Sequence, residues 1–370
     1  MSRRLLLLGS GKMARNTGVF FLKKGWSVSW VSRDPGRLAQ LERAIEKQAR
    51  RLRRLDPDRA GKMQTRFFLP MAADTAKPDV IIESINESLD DKRAIVAAVA
   101  GLIMGDTLLL SNSSSILPGK IHEACIGLHF FYPVELTGLV EIIFPGQCPR
   151  AARKKVVELV GECGLQAIAQ DEESAFAANR LLLPMQAEAF RLLRDGVRPE
   201  DVDSVSASEL LPAGQLSMMD TIGLDVIHAS VPNYLERMPP EEAAGYEPLT
   251  SGLAGLLDMG KRGAKNRDGL LSGSPLPWPA RAQPAGEDRD ALAKRFLYLA
   301  VNACMTFVEN RIVSRPSLGL ITGDLWQSDT TIEDVIKKEK AATIFQFLEN
   351  LYKKGGLSYY RPSKKLIEDC

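Results

Sequence analysis

The hydrophobic pattern of the first half of the chain alternates between two periods. Leu5 to Leu8 is an unbroken apolar run closed at once by Gly9-Ser-Gly11, which suits a buried parallel strand entering a tight turn. Met13 to Lys24 then carries helical periodicity and stops at Gly25. Ser27 to Val31 reads as a second strand, and Arg37 to Leu55 as a basic amphipathic helix broken at Asp56-Pro57. Val80–Ile82, Thr107–Leu110 and Ile126–His129 read as further central strands with helical patterns between them. Strands alternating with helices predict an α/β fold with a doubly wound parallel sheet over residues 1–172.

The pattern changes near Asp171. From Ala177 onward helical periodicity dominates, with turn signals at Pro199, Pro212-Ala-Gly214 and Gly223. Residues 273–286 hold four prolines and read as a linker. Beyond them Lys294-Arg-Phe-Leu is similar to Asn179-Arg-Leu-Leu, 115 residues earlier, and each run leads to a proline-containing turn, at Pro316 and Pro199. The expectation is an all-helical C-terminal region in two repeats: 173–275, a linker at 276–289, and a diverged second copy at 290–370.

Composition narrows the function more by exclusion than by indication. The 370 residues suffice for two or three domains, and a net charge of +2 gives no steering toward nucleic acid or a membrane surface. Five cysteines without a C-x-x-C spacing suit free thiols in a reducing compartment. The apolar run at Leu5 is too short for a signal-peptide core, and no apolar run reaches the roughly 18 residues that span a bilayer. A cytoplasmic protein with neither a nucleic-acid nor a membrane partner is expected.

Candidate chemistry begins at Gly9-Ser-Gly11-Lys12-Met13-Ala14, which matches G-x-G-x-x-G/A between a strand and a helix. The first glycine permits the turn, the second admits a pyrophosphate against the backbone, and the small third residue packs helix on strand. The following helix N-terminus offers free N–H groups to phosphates. The first domain is therefore expected to be of the dinucleotide-binding Rossmann type, with Gly9, Gly11, Lys12 and Met13 at the cofactor. At the end of the second strand, where NAD-selective sites carry Asp or Glu, stands Ser32, followed by Arg33. A hydroxyl and a guanidinium suit a 2′-phosphate, so NADP is favoured over NAD, although a strand ending nearer Asp34 would reverse the preference.

One of only three histidines, His129, lies in the run Ile126 to Ile142, twelve residues before Glu141. Histidine suits proton transfer near neutral pH, and a carboxylate on its second nitrogen fixes its tautomer. A buried Glu141 needs such a partner, since an unpaired buried carboxylate is costly. Ser111-Asn-Ser-Ser-Ser115 precedes the pair as a polar strand-end turn, and Asn179 follows it either as a site residue or as a helix cap.

Taken together, Gly9-x-Gly11-x-Met13, Glu83-Ser-Ile-Asn-Glu87 with Lys92, Ser111 to Ile116, Gly127-Leu-His-Phe-Phe131, Val140-Glu141 and Asn179-Arg-Leu-Leu182 resemble the L-3-hydroxyacyl-coenzyme A dehydrogenases, in order and at compatible spacing. Asp220 to Asp225 and Gly263-Ala-Lys-Asn266 extend the likeness. The C-terminal part resembles the second repeat of the dehydrogenase part of multifunctional β-oxidation proteins, down to Tyr360-Arg-Pro-Ser363. The resemblance implies an NAD(P)-dependent oxidoreductase moving a hydride at C3 of a 3-hydroxyacyl thioester. It puts the general base on His129, its carboxylate on Glu141, the substrate-oxygen ligands on Ser114 and Asn179, and Ser84, Glu87 and Lys92 near the nicotinamide. Tyr132 stands where the family has asparagine, adding bulk beside the substrate or nicotinamide. A free 3-hydroxy acid or sugar acid as substrate, and a non-catalytic cofactor-binding protein, are the competing expectations. Because a second helical repeat could replace a dimer partner, a monomer is expected ahead of a homodimer.

Overall fold

The apolar runs of the N-terminal half form strands, and burial on both faces explains why they lack alternation. The computed structural model describes residues 3–32, 34–55, 63–67, 77–278 and 288–368. The chain divides into two compact units, Met1–Ala175 and Phe176–Cys370.

In the first unit the order is β1 (Arg4–Leu8), α1 (Lys12–Lys23), β2 (Ser27–Ser32), α2 (Pro35–Leu55), β3 (Met63–Phe67), β4 (Val80–Glu83), α3 (Leu89–Ala98), β5 (Leu108–Ser111), α4 (Pro118–Ile121), β6 (Cys125–Phe130), α5 (Val134–Thr137), β7 (Leu139–Phe144), α6 (Arg150–Glu162) and β8 (Gln166–Asp171). The eight strands form one sheet in the order β3-β2-β1-β4-β5-β6-β7-β8. All neighbours are parallel except β6 and β7, which are antiparallel. That exception departs from the wholly parallel expectation. The segment 131–138 joining these strands holds a single short helix, too little chain for the dozen or more residues a parallel crossover needs.

Alternate strand residues feed two cores. Leu5, Leu7, Val28, Trp30, Leu128 and Phe130 face α1 and α6, whereas Leu6, Leu8, Val31, Ile81 and Leu109 face the α3 side. Each fully buried side chain of this size contributes about 1.5–3 kcal/mol. Gly18 lets α1 approach β2: a Cβ there would lie 2.0 Å from the Trp30 ring.

The second unit is helical, with α7 (Ala177–Arg180), α8 (Leu183–Arg194), α9 (Pro199–Ser206), α10 (Gln215–Ile222), α11 (Leu224–Leu235), α12 (Pro240–Ala243), α13 (Glu247–Asp258), α14 (Arg289–Glu309), α15 (Arg315–Leu320), α16 (Ile332–Glu339), α17 (Ala341–Gly355) and α18 (Lys365–Glu368). Two stretches of this unit run in a similar element order. A long, largely buried helix leads to a short one with proline in its first turn, α8 to α9 and again α14 to α15. By length and composition α14 could cross a bilayer, but 67% of its apolar window is buried inside the unit, where it packs on α8 and α9.

Its interior holds a charged knot. Glu188, fully buried on α8, accepts from Arg191 Nε at 3.0 Å and Nη2 at 2.7 Å, from Arg295 Nη1 of α14 at 2.8 Å, from Tyr359 Oη at 3.3 Å and from Tyr360 Oη. Burial alone would push this carboxyl up. The hydrogen bonds and charges of Arg191 and Arg295 overcome that and hold it below its usual range.

Candidate active site

Strand order reverses between β1 and β4, and in open α/β sheets ligands bind at the carboxyl ends of strands beside such a point. Gly9 sits there with φ +132°, and a Cβ on it would lie 2.3 Å from the Ser84 carbonyl oxygen. Only glycine fits. Gly11 caps α1, and nothing lies within 4 Å of the place its Cβ would take. The first turn of α1 holds no acid, so its N–H groups and dipole are available to an anion. Ala14 is fully buried beneath the turn and Met13 packs against the same core. An open backbone cradle without carboxylates fits the diphosphate of a dinucleotide. Lys12, the first helical residue, has its Nζ 3.7 Å from the centroid of the Tyr132 ring.

β2 ends at Ser32, where the strand-end argument needs it. Its hydroxyl lies 2.9 Å from Ser10 Oγ and accepts from Asp34 N at 3.2 Å. The Asp34 carboxylate instead accepts from Gly36 N at 2.9 Å, at the start of α2. Arg33, the other half of the 2′-phosphate argument, lies outside the described residues.

Beyond β4 and β5 the sequence folds around buried charges. Lys92 on α3 reaches the two Glu83 oxygens at 2.9 and 3.0 Å and Glu87 at 3.2 Å. Burial opposes both charged forms. The neighbouring Glu83 and Glu87 hold Lys92 above its usual range, and Lys92 with the Ser114 hydroxyl and N–H holds Glu87 below the usual carboxyl range. The serine turn closes on Glu87: Ser113 Oγ donates at 2.9 Å, Ser114 N at 2.6 Å, Ser114 Oγ at 2.8 Å and Ser115 Oγ at 3.2 Å. Ser114, expected to hold a substrate oxygen, is thus hydrogen-bonded to a residue expected at the nicotinamide. Ser84 accepts from Asn112 Nδ2 at 3.1 Å, while Asn112 Oδ1 accepts from Phe130 N at 2.9 Å. Asn112 therefore ties the serine turn to the strand of His129, a role not visible in the sequence.

His129 and Glu141 are direct partners in the β6/β7 register. Opposite residues of an antiparallel pair project from the same face, about 4.5–5.5 Å apart at Cβ. Here the side chains meet, with His129 Nδ1 2.7 Å from Glu141 Oε2. Gln170 of β8 donates to Glu141 Oε1 at 3.0 Å, so the carboxylate is fixed from both flanking strands. Gln170 was missed by sequence reasoning; its signal was a polar residue at a buried position of a strand. Both oxygens of Glu141 are engaged, and its side chain is fully buried.

Asn179 belongs to the helical unit, on α7, where its Nδ2 donates to Tyr234 Oη at 3.2 Å. Two further motifs of that unit meet each other. Ala264 N donates to the Asp220 carbonyl at 2.8 Å, and Lys265 pairs with Asp225 at 2.8 Å.

Fold and glycine loop define a Rossmann-type dinucleotide-binding domain followed by a helical domain. A family model described as 3-hydroxyacyl-CoA dehydrogenase, NAD binding domain, matches residues 5–173, and one described as 3-hydroxyacyl-CoA dehydrogenase, C-terminal domain, matches residues 176–272. The chain belongs to the 3-hydroxyacyl-CoA dehydrogenase family, a family of oxidoreductases. A solved 3-hydroxybutyryl-CoA dehydrogenase from Escherichia coli is similar over 100% of this chain and 98% of its own, at 17% identity and TM-score 0.78. An (S)-3-hydroxybutyryl-CoA dehydrogenase from Ralstonia eutropha is similar over 74% of this chain and 100% of its own, at 26% identity and TM-score 0.62. The dehydrogenase part of multifunctional enzyme 1 from C. elegans covers 99% of this chain and 89% of its own, at 17% identity and TM-score 0.59.

Proposed function

We propose that this chain is a dehydrogenase acting at C3 of a 3-hydroxyacyl thioester, with His129 as the general base. The observation that carries the reading is the buried cross-strand pair, His129 Nδ1 at 2.7 Å from Glu141 Oε2, with His129 near the carboxyl end of β6, as the glycine loop and the serine turn follow the carboxyl ends of β1 and β5. With Nδ1 on the carboxylate, the base role falls to Nε2, which would take the hydroxyl proton while Glu141 stabilises the imidazolium that results. A nicotinamide dinucleotide supplies, when bound, the hydride acceptor or donor. Ser114 and Asn179 would orient the substrate oxygen by family position. For Ser114 to donate to that oxygen, its hydroxyl must turn from Glu87.

His129→Gln tests the base. Turnover of a 3-hydroxyacyl thioester should fall by about 10²–10⁴ while dinucleotide binding, followed by fluorescence titration, stays near wild type. A variant that keeps more than about a tenth of wild-type turnover removes His129 from the role.

Cofactor choice follows from β2. Ser32 ends the strand where NAD-selective sites carry a carboxylate, and the Asp34 carboxylate accepts from Gly36 N at the start of α2, which supports NADP over NAD. NADPH should bind more tightly than NADH, and the reverse order would overturn this preference.

A further inference from the structure

Tyr132 stands in the segment between the base strand and α5, and nearly half of it is exposed (48%). Its ring lies against the Lys12 side chain of α1. The Lys12 ammonium is 3.7 Å from the ring centroid, well within the roughly 6 Å at which a cation is attracted by an aromatic face.

Two features make this contact more than incidental. First, it belongs to a seam. Asn16 Oδ1 accepts from Val134 N at 2.7 Å and Lys23 pairs with Glu135, while residues 12, 16 and 23 lie within about 40° of one another on a helix of 3.6 residues per turn. One face of the phosphate-binding helix is therefore stitched to the segment that leaves His129. Second, among the described residues Lys12 makes no ion pair, whereas Lys23 on the same face has a carboxylate. A carboxylate would order an ammonium and neutralise it. An aromatic face orders it and leaves the full positive charge available to an incoming anion. Side chains in the first turn of a helix point back toward its N-terminus, so this charge stands beside the open cradle of Gly11.

We propose that Tyr132 is a positioning residue for the cofactor: its ring holds the Lys12 ammonium, un-neutralised, where the dinucleotide diphosphate binds. Tyr132 thereby works on the phosphate side of the site, not on the acyl chain. The proposal rests on the dinucleotide-binding domain and is independent of His129 as base.

A double-mutant cycle on the full chain decides it, read as equilibrium binding of NADPH, NADH and ADP-ribose, the last a probe with the diphosphate but without nicotinamide. Tyr132→Phe, which keeps the ring, should bind all three as wild type does. Tyr132→Leu should weaken each about two- to fivefold. Lys12→Met should weaken each about ten- to a hundredfold, as for loss of a charge-assisted contact. The double variant should bind no more weakly than Lys12→Met alone. Full additivity, an unchanged Tyr132→Leu, or a loss confined to the dinucleotides and absent with ADP-ribose would each overturn the proposal. His129→Gln as background should give the same ratios, so a failure of the base role shows in turnover alone.

Discussion

Two fully buried glutamates, one in each unit, are solved in different ways. Glu188 in the helical unit receives five donor groups from two arginines and two tyrosines, drawn from α8, α14 and the segment before α18. Glu141 in the sheet has an amide on one oxygen and an imidazole on the other. Both avoid the penalty of an unpaired buried charge. The difference lies in the partners. Arginine stays charged at any pH a protein meets, so the Glu188 knot cannot hand a proton on, and it serves to tie α8 to α14 and to the segment before α18. Histidine is the residue type suited to proton transfer, which is what the proposed role asks of the Glu141 pair. The comparison separates a fastener from a site more sharply than burial does.

The largest expected effect breaks the fastener. Glu188→Ala leaves Arg295, itself buried, without its carboxylate, and should cost about 3–5 kcal/mol of unfolding free energy in urea. A loss under about 1 kcal/mol would show that the knot holds nothing together. The pH dependence gives the sign. A carboxyl held below its ordinary value of 4.5 contributes stability that is complete above that pH and disappears as pH falls through the folded-state value. Wild type should therefore lose stability below about pH 4.5, and Glu188→Ala should lose less of its remaining stability over the same range.

How much of this was legible depended on whether a residue's chemistry or its register carried the information. Gly9, Gly11, His129 and Glu141 stood out because each is unusual beside apolar neighbours. The strand ends came within a residue or two for the same reason. That His129 meets Glu141 was expected from the need of a buried carboxylate for a partner, but the register that brings the two together was a different matter. It requires β6 and β7 to run antiparallel with these two residues opposite, and that register is fixed by the folding of residues 131–138, which no periodicity announces. β3 and β8 were not anticipated, because Met63–Phe67 and Gln166–Asp171, the two edge strands, mix polar and apolar residues. Ser111 to Ser115 were read as a strand-end turn with Ser114 at the substrate oxygen, yet Ser113, Ser114 and Ser115 close on Glu87, 26 to 28 residues earlier, a contact that the β4/β5 pairing creates. In the helical unit the helical periodicity was visible, but the charged knot was not. Glu188, Arg295 and Tyr360 are far apart in sequence and look individually like surface residues.

The smaller effect sharpens the other side of the comparison. Gln170 is to Glu141 part of what Arg295 is to Glu188, a donor from a neighbouring element that fixes a carboxylate. Gln170→Leu removes that donor while leaving His129 in place. If Glu141 were only a fastener, the loss would appear as stability, with turnover following the folded fraction. If it steadies an imidazolium formed during proton transfer, turnover per folded molecule should fall about tenfold to a hundredfold, the kinetic equivalent of 1.5–3 kcal/mol for a hydrogen bond to a charged group. Dinucleotide binding should not move, because Gln170 lies on β8, at the opposite end of the sheet from β1 and β2. Unchanged turnover per folded molecule, measured beside a normal urea midpoint, would make Glu141 a structural partner and leave His129 to act without its help.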